Sequence, residues 1–353
     1  MSLSGISIEP FRGDIEALER MALHSWRNEY GIESFPNFYR PNFLRYLFDP
    51  LKDKRLCLAA YQGDEIVSFL ANLPRKFSFE GKVHSAVLSC IMVTRKELLR
   101  QGLGLAIIEE GLKMNREMNY DFALMTLEKG HRSTLMVEKL KKEGHPIQWV
   151  KKISVVARIL DLDRVFSSET LKTWERWALK AIRADKAPKL KTDLMVREYG
   201  DKDLDMCMVM LNRYSDYIGL ARVWDREELA WELDHADVSK TLVCERNGKV
   251  EALINFIYHE HLGKIKERWA WINHVAYPEL TPRERVDFIH AFLNYIKNKG
   301  CIGAIEWTKK YYPMRPLYKA RFFPYFRTVN MVSMTFNPEL SLNNIPDVYE
   351  VQI

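Results

Sequence analysis

A strand-like apolar run, a basic turn and a helix that opens on Gly-x-Gly follow one another in VHSAVLSCIMVTRKELLRQGLGLAII, residues 83–108. Gly102 and Gly104 lack the side chains that would hold a ligand off the backbone. The free amides of a helix start carry partial positive charge, so this turn has the chemistry to bind an anion such as a pyrophosphate. Arg95, Lys96 and Arg100 add charge beside it. The same Gly-x-Gly also marks helices that merely pack tightly, so the residues alone leave both readings open.

Other residue groups carry weaker chemistry. His259-Glu260-His261 puts two imidazoles on one face of a strand, but no third ligand follows at metal-site spacing, and an exposed polar face is the expectation. Cys57, Cys90, Cys207, Cys244 and Cys301 are odd in number and sit singly. They form neither a disulfide framework nor a C-x-x-C site, which fits a reducing compartment. Trp269, Trp271, Trp307 and the pair Phe322-Phe323 read as packing residues.

The elements that position these groups occur twice. ISIEPFRGDIEAL near the start and LMVREYGDKDLDM at 194–206 each read as strand, turn and helix. RLCLAAYQGDEIVSFLANL (55–73) and TLVCERNGKVEALINFI (241–257) are each a hairpin, one turning at Gly63 and the other at Gly248. Leu105, Ile108 and Leu112 give one helix its apolar face before the strand FALMTL; Val286, Ile289, Phe292, Leu293 and Ile296 do so before CIGAIEW. Each half is expected to end in a short helix and a final strand pair. The order predicts two α/β (α+β) domains, each with a mixed, mostly antiparallel central sheet flanked by helices. Their expected limits are 1–161 and 192–353. The linker, 162–191, is expected to hold a helix capped at Ser167-Ser168, with Leu171, Trp174, Ala178 and Ile182 along it.

A Gly-bearing turn and helix directly after a three-strand meander resemble the acyl-CoA-binding motif of the GNAT N-acyltransferase superfamily, R/Q-x-x-G-x-G/A. Here it reads Leu99-Arg100-Gln101-Gly102-Leu103-Gly104, with Leu99 at the position of the usual Arg or Gln. The resemblance covers about 6–160 and, through the repeat, about 192–337. It implies that the main chain of Ile91, Met92 and Val93 holds the pantetheine arm, and that Arg100, Gln101, Gly102, Leu103, Gly104 and Leu105 hold the pyrophosphate. A Rossmann dinucleotide site fits less well, because the third glycine and the ribose-binding acid are missing from their places. The second half has PELTPRER where the loop should be. It lacks glycine and adds Glu279 and Glu284, so that half is expected to bind no CoA.

In the family the general acid is often a Tyr on the helix after the FALMTL strand; here Val137 takes its place. Glu128 and His131, just past that strand, and the terminal carboxylate of Ile353, a role related tandem proteins give their own, are the candidate acid–base groups. A helix cap and a surface His are the plainer account of the first two. FPNFYRPNF at 35–43 falls where the family borders its acceptor pocket, so Phe35, Phe38 and Tyr39 are candidate acceptor contacts, with core packing as the alternative. The expected function is acetyl transfer from acetyl-CoA to a small or protein amine in a ternary complex, with no metal. A non-catalytic GNAT-like sensor of CoA or a small ligand is the alternative.

Composition sets bounds on this. The 353 residues hold 53 Lys+Arg and 47 Asp+Glu, a formal charge of +6, with no basic tract that would suit nucleic acid. No signal-like segment and no run of about 18 apolar residues stands out, so a cytoplasmic protein without membrane contact is expected.

Overall fold

The computed structural model describes residues 5–30, 35–128, 132–168, 171–189, 193–262 and 265–350, with side chains except at 27–30, 35–37, 132, 261–262 and 326–327. The first half runs β1 (Ile6–Pro10), α1 (Ile15–Tyr30), β2 (Phe35–Pro36), α2 (Pro41–Phe48), β3 (Cys57–Gln62), β4 (Glu65–Phe79), β5 (Lys82–Thr94), α3 (Leu103–Glu117), β6 (Phe122–Glu128), α4 (Arg132–Lys142) and β7 (Ile147–Ile159). Helices α5 (Leu162–Ser168) and α6 (Thr173–Ala181) lead to the second half. That half comprises β8 (Met195–Glu198), α7 (Leu204–Asn212), β9 (Leu220–Val223), α8 (Arg226–Leu233), β10 (Ser239–Arg246), β11 (Lys249–Leu262), β12 (Lys266–Ala276), α9 (Pro282–Asn298), β13 (Gly303–Trp307), α10 (Arg315–Lys319) and β14 (Phe323–Thr335). A short β15 (Val348–Tyr349) closes the chain's described part.

Local chemistry starts and orients these helices. Asp14 accepts a hydrogen bond from the Ala17 amide (2.8 Å) at the head of α1, which then buries Leu18, Met21, Ala22 and Ser25 at helical spacing. Pro41 opens α2, where its missing N–H costs nothing, and Phe43, Leu44 and Leu47 go inward.

One sheet runs through the whole molecule in the order β1-β3-β4-β5-β6-β14-β7-β13-β12-β11-β10-β8. The expected closing strand pair in each half is instead one long strand, and the two are exchanged. β14 lies beside β6, β7 lies beside β13, and β14 and β7 pair with each other, all antiparallel. Either strand left in its own half without the other would present an open edge; exchange gives each two partners.

The halves share their irregularities as well as their order. Register shifts fall at Ala60/Tyr61 and at Cys244/Glu245 in the first hairpin of each half. A second bulge lies between Phe69 and Ala71, and its counterpart between Asn255 and Phe256. Cores cross the midline. Val156 and Leu160 pack with the second half, while Leu340, Leu342, Ile345 and Val348 of the tail pack with Leu73, Phe77 and Leu88 of the first.

The linker differs from expectation. Ser167 and Ser168 close α5, bonding back to the carbonyls of Asp163 and Arg164, and α6 begins at Thr173, where the Lys172 amide donates to the Glu175 carboxylate. Leu179 packs inward, whereas Trp174, Trp177 and Ile182 face solvent. Among the described residues no helix is long and apolar enough to cross a membrane.

Candidate functional site

β5 and β6 pair in parallel only over Ala86–Leu88 and Phe122–Leu124; beyond that they separate. A cleft of about 780 Å³ opens between them, walled by Ser89–Thr94 of β5, Met125–Leu127 of β6, the inner face of α3 and part of α4, and reaching Ser25, Trp26 and Tyr39 near α1. The cleft therefore passes through the plane of the sheet.

Two features of its wall are chemically notable. Ile91 and Met92 of β5 lie opposite Leu70 alone, a bulge in which Ile91 adopts φ 52°. A bulge takes main-chain groups out of the ladder and turns them toward a neighbouring space. Tyr39 Oη donates to the Met92 carbonyl (3.2 Å) and pins this turn from the α1 side.

The second feature is the start of α3. Gly102 caps the helix at φ 88° and supplies no side-chain hydrogen bond to the first amides. Arg100, at φ 64°, and Gly102, Gly104 and Leu105 line the mouth there. A Cβ on Gly104 would lie 3.2 Å from Met92 Cε, so glycine lets the helix start close on β5. The charge is more local than the sequence implies, because Arg95 is paired with Glu65 at 2.9 Å. Arg100 has no carboxylate in ion-pair range among the described residues.

Of the expected donor-site residues, Ile91, Met92, Val93, Arg100, Gly102, Gly104 and Leu105 line the cleft. Leu103 is buried away from it with Ala60 and Val67, and Gln101 bonds back to the Glu97 carbonyl. Val137 is buried and forms part of the α4 wall. Glu128 is exposed at the end of β6, where its carbonyl accepts from Thr134 (2.9 Å). His131, Ile353 and the Phe35 side chain lie outside the described residues. Tyr39 reaches the cleft; Phe38 instead packs between the halves, 4.9 Å from the ring of His259 and 5.9 Å from that of Trp271. The exposed polar face expected at His259 is thus corrected: the ring is buried by these aromatics. Cys90 also lines the cleft, and burial pushes its thiol up to about 12, too high for a nucleophile at neutral pH.

Sequence reasoning passed over Asn72 and Asn115. Both are buried on the cleft wall, and Asn72 Nδ2 and both polar atoms of Asn115 have no hydrogen-bond partner. The available signal is a carboxamide at a core position of an otherwise apolar pattern.

No family model matches the sequence, and no curated protein does. Solved structures do. A Saccharomyces cerevisiae N-myristoyltransferase with bound myristoyl-CoA matches at a TM-score of 0.79 and 14% identity, over 100% of this chain and 90% of its own. A second structure of that yeast enzyme, with bound myristoyl-CoA and inhibitors, gives 0.80 and 14% over 100% and 88%. A GCN5-related N-acetyltransferase from Kribbella flavida matches at 0.57 and 11%, over 94% and 71%. The fold is the GNAT fold in tandem.

The second GNAT unit keeps the frame and fills the space. β12 and β13 pair over Trp269–Trp271 and Gly303–Ile305 and then part, as β5 and β6 do. Lys309 Nζ donates to the carbonyl of the bulge residue Asn273 (2.7 Å). The amide of Val275 donates to Tyr311 Oη (2.9 Å), and its carbonyl accepts from Tyr214 (2.8 Å). At the head of α9 a capping box replaces the open amides: Glu284 N donates to Thr281 Oγ1, and Thr281 N to the Glu284 carboxylate. In this unit, side chains of the protein take up main-chain groups of the bulged strand and the first amides of the helix.

Proposed function

We propose that the chain is an acyl-CoA-dependent N-acyltransferase whose donor occupies the cleft of the first GNAT unit. The observation that carries this is the continuity of uncapped α3 amides, bulged β5 and splayed strands along one cavity. The diphosphate would lie on the amides from Gly102 onward beside Arg100, and the pantetheine arm would follow Ile91–Val93. The thioester carbonyl would then meet the bulge, where main-chain amides favour the oxyanion formed as an amine attacks.

Tyr39 holds this bulge in place and borders the acceptor side, with Trp26 beside it. The neighbour that binds myristoyl-CoA and the room along α3 support an acyl-CoA donor; acetyl is the group the sequence resemblance implies and is the first to test. Glu128, His131 and the Ile353 carboxylate remain the proposed proton-transfer groups, since Val137 has no proton to give. Single substitutions at Glu128 and His131 and a one-residue extension beyond Ile353 test them. Titration calorimetry of the full chain with CoA tests the donor site, with one molecule bound per chain as the expected result. Failure to bind CoA or any acyl-CoA would exclude it and favour a different small ligand.

A further inference from the structure

The wall of the cleft along α3 is not uniformly apolar. Gly104, Ile108, Gly111 and Asn115 fall on one face of the helix, with Asn115 roughly 16 Å along from Gly104 at 1.5 Å per residue. Across from it, Asn72 of β4 is paired in register with Ser89 of β5. Ser89 Oγ donates to Asn72 Oδ1 (2.6 Å), which leaves the Asn72 amide hydrogens unused. Asn115 has neither side-chain donor nor acceptor satisfied, and the residue is 1% exposed.

Buried carboxamides without partners are rare in native folds and call for a ligand or an ordered solvent molecule. Gly111 keeps the space beside Asn72 open: a Cβ there would lie 3.3 Å from Asn72 Nδ2 and 3.1 Å from Leu70 Cδ2. A saturated chain entering this region would cover these groups without pairing them.

Resting on the acyl-CoA reading above, we infer that Asn72 and Asn115 select a donor whose acyl chain carries a hydroxyl group. A hydroxyl accepts from the Asn72 amide and donates to the Asn115 carbonyl oxygen, pairing one of the two free amide groups and the one free acceptor. A carboxylate fits less well. Among the described residues the cations on the wall are Arg100, at the α3 loop, and Lys139, on α4 and 3.5 Å from Glu143, and a carboxylate cannot donate to Asn115. Ser89 is two residues from Ile91, roughly 7 Å along the strand, so the hydroxyl belongs on the early part of the chain.

The test is calorimetry of the full-length protein with free CoA and with two matched pairs, butyryl-CoA against 3-hydroxybutyryl-CoA and decanoyl-CoA against 3-hydroxydecanoyl-CoA. The expected result is a preference of about tenfold or more for the hydroxylated member of at least one pair. In Asn72→Leu and Asn115→Leu that preference is expected to fall to within about twofold while free CoA binds as before. Wild-type protein that binds CoA but takes saturated chains as well as hydroxylated ones overturns the inference and leaves the donor site standing, even if neither variant folds. Wild-type protein that binds neither CoA nor any thioester overturns both.

Discussion

Gly102 and Gly104 occupy the same turn, yet a side chain would do different things at each. At Gly102 a Cβ meets nothing within 4 Å, but φ is 88°, so alanine there costs about 1 kcal/mol in backbone strain and leaves the cleft open. At Gly104 the branches of valine would press on Met92, Thr94 and Met136. Gly104→Val is therefore expected to weaken CoA binding by about tenfold or more, and Gly102→Ala by less than about threefold, both read by calorimetry. Equal losses would place the diphosphate elsewhere. In the second unit, burial raises the Glu306 carboxyl to about 8, and the attraction of Lys309 at 3.5 Å offsets only part of it. The folded state then holds a proton that the unfolded chain releases near 4.5, so this group's stabilising contribution is full below about 4.5 and is lost as pH rises toward 8. Glu306→Gln is expected to flatten the decline of the melting temperature across that window; an unchanged slope would mean that another group sets it.

The elements show why some of this was legible in the sequence and some was not. Hairpins at Gly63 and Gly248, the glycine-led helix α3 and the missing loop before α9 were readable, because turn chemistry and helix periodicity are local properties. Strand exchange was not: β7 and β14 are apolar runs whose pattern is the same whichever strand lies beside them. The bulge at Ile91 was equally hidden, since it follows from pairing with Leu70 rather than from the type of residue 91. On α6 the apolar spacing of Trp174, Ala178 and Ile182 suggested a buried face, yet Leu179 is the residue that docks. Helix α9 permits a direct check on the contrast between units. Thr281 accepts from the Glu284 amide, so Thr281→Ala should cost about 1 kcal/mol in denaturant unfolding. It should not create CoA binding, because Tyr311 and Lys309 still occupy the main chain of β12. A second bound CoA in that variant would show that the cap alone had closed the site.

Across the whole molecule, the exchanged strands make each unit depend on the other. β6 has β14 as its outer neighbour over Phe122–Glu128, and β13 has β7 over Gly303–Trp307. A buried charge network spans the same junction. Arg222 of β9 holds Glu350 of the tail at 2.8 Å and Glu228 at 2.6 Å, while Glu228 also meets Arg75 of β4 at 3.3 Å. Burial opposes the charge on Arg222, but the carboxylates of Glu350, Glu228 and Glu232 outweigh it and hold the guanidinium above its ordinary range. Removing one side of such a network strands the other in a medium that cannot solvate it. A fragment covering 5–160 would lose β14, leave a long edge on β6, and uncover the part of its core now packed by Leu340, Leu342 and Val348. It is expected to be insoluble or unfolded, whereas the intact chain should melt in one transition with the calorimetric enthalpy equal to the van't Hoff enthalpy. Two separated transitions, or a soluble fragment that binds CoA, would show that the first unit folds without the strand it receives from the second.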